Sequence, residues 1–236
     1  MSIQDVPHEG KEFSVVVNRV VYERYPLKTK TIHKGDDLLH IFKDAVGDFL
    51  QDGDIVLVAE SIVAISEGRA FKFDEISFGK VAQFLSRFVA KSSAGIGLGT
   101  PQTMQLAINE VGMMRVLFAA FVAALTKPFG LHGMFYRIVG EKARGIDGPT
   151  STTLPPYNEY ASLIPKDPAG FAKMMHYGCK PKKVRFIVID ANDIGVNILG
   201  ARDAEEEYLA HELSKDNPMG QSDESTPFLI CRPLLK

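Results

Sequence analysis

The stretch Lys183-Val-Arg-Phe-Ile-Val-Ile-Asp-Ala-Asn-Asp193 constrains the fold of this chain more tightly than any other. Five of the six residues from Val184 to Ile189 are apolar, and most are β-branched or aromatic. That is the composition of a strand buried on both faces, not of one with a solvated side. The apolar run stops at Asp190. Asp190, Asn192 and Asp193 then put hard oxygen donors at the mouth of a rigid strand, as a magnesium-type site requires. Taken alone, the same residues also describe an ordinary polar turn closing a strand.

A second strand of the same kind, Ile55-Val-Leu-Val-Ala59, follows the turn Asp52-Gly-Asp54 and ends in Glu60-Ser61, another polar strand mouth. Phe13 to Val21 reads as one strand interrupted by Asn18 and Arg19, and Phe228 to Cys231 as the last strand. After the basic tract Lys28 to Lys34, Gly35-Asp36-Asp37 opens a helix with Leu38, Leu39, Ile41, Phe42, Val46, Phe49 and Leu50 on its apolar face. Further helices are expected over Phe78 to Ala90, Ala169 to Tyr177 and the acidic Ala204 to Leu213. Gly68, in Ser66-Glu-Gly-Arg69, marks a backbone position that a side chain would block.

The greasiest region is Met104 to Thr126, in which Val116 to Leu125 carries no charge. It is too short to span a bilayer and is bracketed by Glu110, Arg115 and Lys127, so the expectation is a central core helix or strand pair, with its methionines and phenylalanines as packing residues. The glycines from Ser92 to Pro101 follow a helix, and no Gly-Lys-Ser or Gly-Lys-Thr accompanies them. A flexible loop therefore fits better than a phosphate cradle, with Thr100 and Pro101 as cap and first residue of the next helix. Gly145-Ile-Asp147-Gly-Pro-Thr150 is a tight turn presenting a carboxylate, followed by a long loop to Pro165. Met219-Gly-Gln-Ser-Asp-Glu224 is a loop rich in oxygen ligands and backbone donors.

A formal charge of -2 on 236 residues, without a local basic patch, argues against nucleic acid and for small-molecule partners. The two cysteines, Cys179 and Cys231, have no metal-type spacing, and none of the six histidines has a partner at ligand spacing, so zinc is not expected. Met1 to Lys11 has no secretory character. A cytoplasmic protein without membrane association is the expectation.

Taken in order, Thr31-Ile-His-Lys-Gly-Asp-Asp37, Asp52 to Arg69, Gly145-Ile-Asp147, the strand ending at Asp190, and Met219-Gly-Gln-Ser-Asp-Glu224 before Pro227 resemble the gamma-glutamyl ligase of coenzyme F-420 biosynthesis. The resemblance implies a mixed α/β fold, a central sheet with packed helices, as one domain over 1–236 or two lobes of roughly 1–140 and 141–236. It implies an enzyme that joins L-glutamate through its amine to a carboxylate-bearing acceptor, using GTP or ATP with Mg or Mn, and working as a homodimer. Carried over by position, Asp147 and Asp190 become ligands of one metal and Gln221 of a second. Glu60, Ser61 and Thr150 fall near the nucleotide, and Met219, Gly220, Ser222, Asp223 and Glu224 belong to the loop around its phosphates. No residue is carried over as a catalytic acid or base.

The chain departs from that pattern at three places. Ile65 stands where the family has a nucleotide-contacting lysine, and an apolar side chain cannot pair with phosphate. Ala191 stands where the family has a metal-binding threonine, leaving Asn192 or Asp193 to substitute. An arginine-bearing stretch before Gly200 is missing. Two other readings follow: a catalytically degenerate homologue that binds nucleotide or metal, and a phosphatase with Asp190 as nucleophile, which would want an aspartate where Asn192 stands.

Overall fold

The structure is a computed structural model that describes residues 2–3, 11–89, 96–150, 153–192, 195–220 and 225–234. The chain forms two compact units, Met1–Gly68 with Pro165–Lys236, and Arg69–Ile164 between them in sequence. The first unit begins with β1 (Ser2–Ile3), β2 (Ser14–Val17), β3 (Val20–Lys28), α1 (Leu38–Val46), β4 (Ile55–Ala59) and α2 (Glu60–Ser66). The second holds β5 (Ala70–Lys72), α3 (Lys80–Ser86), α4 (Pro101–Val111), α5 (Met113–Thr126), α6 (Met134–Val139), α7 (Glu141–Arg144) and β6 (Tyr160–Ser162). The chain returns to the first unit as α8 (Pro168–Gly178), β7 (Arg185–Ala191), β8 (Val196–Ile198), α9 (Ala204–Ser214) and β9 (Phe228–Leu234).

In the first unit one seven-stranded sheet runs in the order β1-β3-β9-β4-β7-β8, with β2 also on β3. β4 and β7 are parallel, while β9 is antiparallel to both β3 and β4. Alternation sorts the strand side chains between two cores. Val56, Val58, Phe186, Val188, Phe228 and Ile230 pack with Phe42 of α1 and Met175 of α8. On the opposite face Ile55, Leu57, Ile187, Ile189 and Leu229 pack with Leu209 and Leu213 of α9. β7 is thus buried on both faces, as its unbroken apolar run predicts, because helices cover both sides of the sheet.

Phe13 to Val21 is not one strand. Asn18 and Arg19 both have positive φ, 51° and 67°, and form a two-residue turn between Val17 and Val20. A right-handed twist favours such a turn, and Asn tolerates the left-handed region, though the usual glycine at the second place is absent. β9 also runs past the expected Cys231. Pro233 is accommodated because β4 has ended by that row and only β3 continues alongside.

α1 begins as expected: the Asp37 carboxylate accepts from the amides of Leu39 and His40, at 3.0 and 3.1 Å. Gly68 has φ +71°, and a Cβ there would come within 2.7 Å of the Lys34 side chain, as the sequence predicts for this glycine.

The second unit corrects a larger expectation. Met104 to Thr126 is two helices, not one core element. Gly112, at φ +88°, ends α4 and starts α5, and the two are bent by 116°. α4 supplies Met104, Leu106, Ala107 and Ile108 to the core of this unit, but α5 buries only Val116 and Ala119. Hydrophobic content does not report which face is covered when nearly the whole circumference of a helix is apolar. Thr100 caps α4 through the Thr103 amide, and Pro101 is its first residue, as expected. The long loop expected between the Gly145–Thr150 turn and Pro165 contains β6, paired antiparallel with β5.

Candidate functional site

The parallel register places the candidate residues of the first unit. Ala59 is opposite Ile189, so the next residues, Glu60 and Asp190, emerge at the carboxyl ends of neighbouring strands. β9 enters from the opposite direction. The Ala59 amide donates to the Pro227 carbonyl (2.9 Å) and the Thr29 amide to the Ser225 carbonyl (3.0 Å), so Ser225–Pro227 threads between the ends of β3 and β4. The sheet therefore gathers Glu60, Ser61, Asp190 and the end of the loop leading into β9 along one edge. The carboxyl edge of parallel strands is where α/β sheets carry ligands.

Asp190 lies on the face of Phe186 and Val188, one step beyond the core, and is half-buried. Burial alone raises its carboxyl above the usual carboxylate range. No described residue offers it a hydrogen bond or an ion pair. A desolvated carboxylate with no counter-charge fits a hard cation by the chemistry of the donor. Asn192 is committed elsewhere: its side chain accepts from the Gly195 amide at 3.1 Å, closing a short turn.

Glu60 is the first residue of α2, whose N-cap is Ala59 and has no capping side chain. Ser61 is exposed. The loop that follows α9 is anchored at both described ends. Thr226 Oγ1 donates to the Met219 carbonyl at 2.5 Å, and the Gly220 amide to the Asn217 carbonyl at 3.2 Å, with Asn217, Gly220 and Ser225 all at positive φ. Met219 and Thr226 are buried, so the loop is pinned where it leaves and re-enters the fold. Gln221, Ser222, Asp223 and Glu224 lie outside the described residues, as does Asp193.

One support of this loop lies outside the motifs of the sequence. Arg24 on β3 is fully buried; its Nη atoms donate to both oxygens of Asp216, at 2.5 and 2.7 Å, to the Leu213 carbonyl and to the Glu12 carbonyl. Burial would raise the Asp216 carboxyl, but the Arg24 guanidinium outweighs it and holds the group below its usual range. An arginine amid valines and tyrosines in a strand was the available signal.

In the second unit, the Asp147 backbone is bridged to Ser162 through both amides, at 3.0 and 2.9 Å, with the buried Ile146 beside it. A Cβ on Gly145 would collide with Ile164, so the turn sits flush against the chain leaving β6. The Asp147 and Thr150 side chains are exposed. Arg69 is structural: its guanidinium donates to the Ile164 carbonyl (2.5 Å) and to Glu110 (2.8 Å). Among the described residues no group of three or more His, Cys, Asp or Glu is arranged to hold a metal.

Two of the three departures from the family pattern, Ile65 and Ala191, pack against cores. Ile65 lies against the cluster around Phe42, and Ala191 against the cluster around Leu209. Both side chains are partly buried, and their apolar character suits that packing.

The fold and its polar strand ends define a mixed α/β protein whose oxygen donors lie at the carboxyl edge of a parallel pair. A family model described as F420-0:Gamma-glutamyl ligase matches residues 26–196, and the chain belongs to that family. It is similar to the Coenzyme F420:L-glutamate ligase of Methanosarcina barkeri, 46% identical over 63 residues, which is 27% of this chain and 22% of that protein. The protein of the same name in Methanosarcina mazei is 40% identical over 63 residues, with the same shares of the two chains. That of Methanosarcina acetivorans is 35% identical over 74 residues, 31% of this chain and 27% of that protein. The matched segment thus spans about a quarter of the length of these relatives.

Proposed function

We propose that the chain is an amide ligase that joins L-glutamate, through its amine, to a carboxylate-bearing acceptor at the expense of GTP or ATP. The acceptor class is that of the relatives, an F420-type carboxylate. Membership of the ligase family supports this reading, and the observation that carries it is Asp190: a desolvated carboxylate without a described partner, at the carboxyl edge of a parallel strand pair.

Asp190 is proposed as a ligand for Mg or Mn, and Asp147 and Gln221 are proposed as cation ligands on the family resemblance. A bound divalent ion supplies charge neutralisation for the β- and γ-phosphates of the nucleotide. The chain's own residues do the rest. Glu60, Ser61 and Thr150 are proposed to contact the nucleotide, and the loop from Met219 to Glu224, pinned by Thr226, to hold its phosphates through backbone amides. Basic residues follow β3 at the same end of the sheet, including Lys34, whose stem lies across Gly68, and Lys30, which pairs with Asp36 at 3.4 Å. They favour a polyanionic ligand over a neutral one. We place the protein in the cytoplasm and expect two copies to pair.

The test is release of phosphate from GTP or ATP with Mn present, measured with and without glutamate and the F420-type acceptor. The ligase reading requires release only when all components are present, with acceptor mass increased by one glutamyl unit. Ile65 and Ala191 favour a second reading, a homologue that binds nucleotide and cation without turnover. For that reading, binding persists in the same assay and no phosphate appears.

A further inference from the structure

α5 leaves an apolar surface uncovered. Across its fourteen residues only Val116 and Ala119 are buried. Met114, Phe118, Phe121 and Leu125 follow one another at helical spacings of four, three and four. Phe129 and Leu131, just past the helix end, extend the surface. These six side chains are between 55% and 83% exposed. At roughly 150–250 Å² for a whole aromatic side chain, they expose several hundred Å² of apolar area, as large as or larger than the biggest patch of a typical soluble monomer. The ordinary reason for so greasy a helix, burial in the core, does not apply.

The charges around the face decide what covers it. No Asp or Glu occurs between Glu110 and Glu141, while Arg115, Lys127 and Arg137 do. Lys127 and Arg137 are exposed, and Arg115 donates to the Ile138 carbonyl at 2.8 Å, which fixes its guanidinium beside α6. A two-fold contact with a second copy would set this cationic segment against itself with no carboxylate of the segment to answer it. An anionic lipid surface answers both features, accepting the phenylalanines among its acyl chains and the lysine and arginines at its headgroups. At fourteen residues α5 is too short to cross the hydrocarbon layer.

We propose that the face of α5, with Phe129 and Leu131 beyond its end, seats the protein on the surface of an anionic bilayer, with the helix lying in the interface. The inference does not depend on the ligase reading: vesicle binding needs no turnover, and loss of turnover leaves it intact.

The test is co-sedimentation of the full chain with vesicles of phosphatidylcholine alone and with vesicles of equal parts phosphatidylcholine and phosphatidylglycerol, at low and raised salt. The protein is expected to pellet with the anionic vesicles and to be released by salt. Lys127→Glu and Arg137→Glu, both at exposed positions, are each expected to lower partitioning at least about fivefold, since a basic side chain near such a surface is worth about that factor. The double variant Phe118→Ser, Phe121→Ser is expected to abolish binding while keeping the wild-type circular dichroism. Recovery in the supernatant with both vesicle types overturns the proposal, as does equal binding to both. So does a stable dimer in solution that Phe121→Ser dissociates.

Discussion

Ala59 and Ile189 face each other across the parallel pair of β4 and β7, and this single register puts Glu60 and Asp190 at adjoining strand ends. The sheet thereby turns two separate polar strand mouths in the sequence into one edge. Because β9 runs the other way, the loop before it returns to the same edge, fixed by bonds from Thr29 and Ala59. The site is a consequence of strand order: the acidic residues are near one another because buried apolar strands have to be neighbours.

The Arg24–Asp216 pair is a stability element beneath that loop. Replacing Asp216 with Asn leaves a fully buried guanidinium short of its counter-charge, and about 2–3 kcal/mol of destabilisation is expected, less than for a pair buried at both ends because the Asp216 side chain is partly exposed. The folded carboxyl titrates below its unfolded value, so its contribution is present above the ordinary carboxylate range and is lost as pH falls through the lowered folded value. Denaturant melts of wild type and Asp216→Asn across the acid range check this: the difference between the two is expected to shrink toward low pH.

Gly68→Ala combines a positive φ with the approach of Lys34. About 1–2 kcal/mol of destabilisation is expected, part from the backbone and part from displacing the lysine stem. The Lys34→Ala background separates them. In a double-mutant cycle of melting curves, the steric part disappears and the backbone part remains.

Thr226→Val removes the hydroxyl that pins Met219 without changing the side chain's size. A buried carbonyl losing its donor is expected to cost about 1–2 kcal/mol. If the loop holds nucleotide phosphates, the KM for GTP or ATP rises more than kcat falls. Equal KM values in steady-state assays would detach the loop from nucleotide binding.

β4, β7 and α1 were legible because burial on two faces leaves an unbroken apolar run in each strand, and because Asp37 caps α1 where Gly35-Asp36-Asp37 is expected to open it. The features that the sequence does not show have physical causes. Ile62 to Ile65 is a four-residue apolar run that cannot be told apart as helix or strand, and it is part of α2. The Asn18-Arg19 turn lacked its glycine. α5 is apolar around nearly its whole circumference, so periodicity could not show that most of it is exposed. The edge of acidic residues was visible only as separate strand endings, since register and strand order are long-range properties. Asp190, Asp147, Glu60 and Ser61 were named from the sequence; the pinning roles of Thr226 and Arg24 come from pairings far apart in the chain.

The most direct test of the central claim is Mn binding followed by the thermal midpoint of wild type and Asp190→Asn. Burial raises the Asp190 carboxyl in the folded state, so its ionisation opposes folding, a penalty absent at low pH that grows as pH climbs from the ordinary carboxylate value through the raised one. Without metal, Asp190→Asn is therefore expected to melt above wild type at neutral pH, by about 2–4 °C for each kcal/mol relieved. With Mn, the wild type is expected to gain stability and the variant none. A variant that melts lower than wild type without metal, or that keeps the full Mn-dependent rise, would contradict the account.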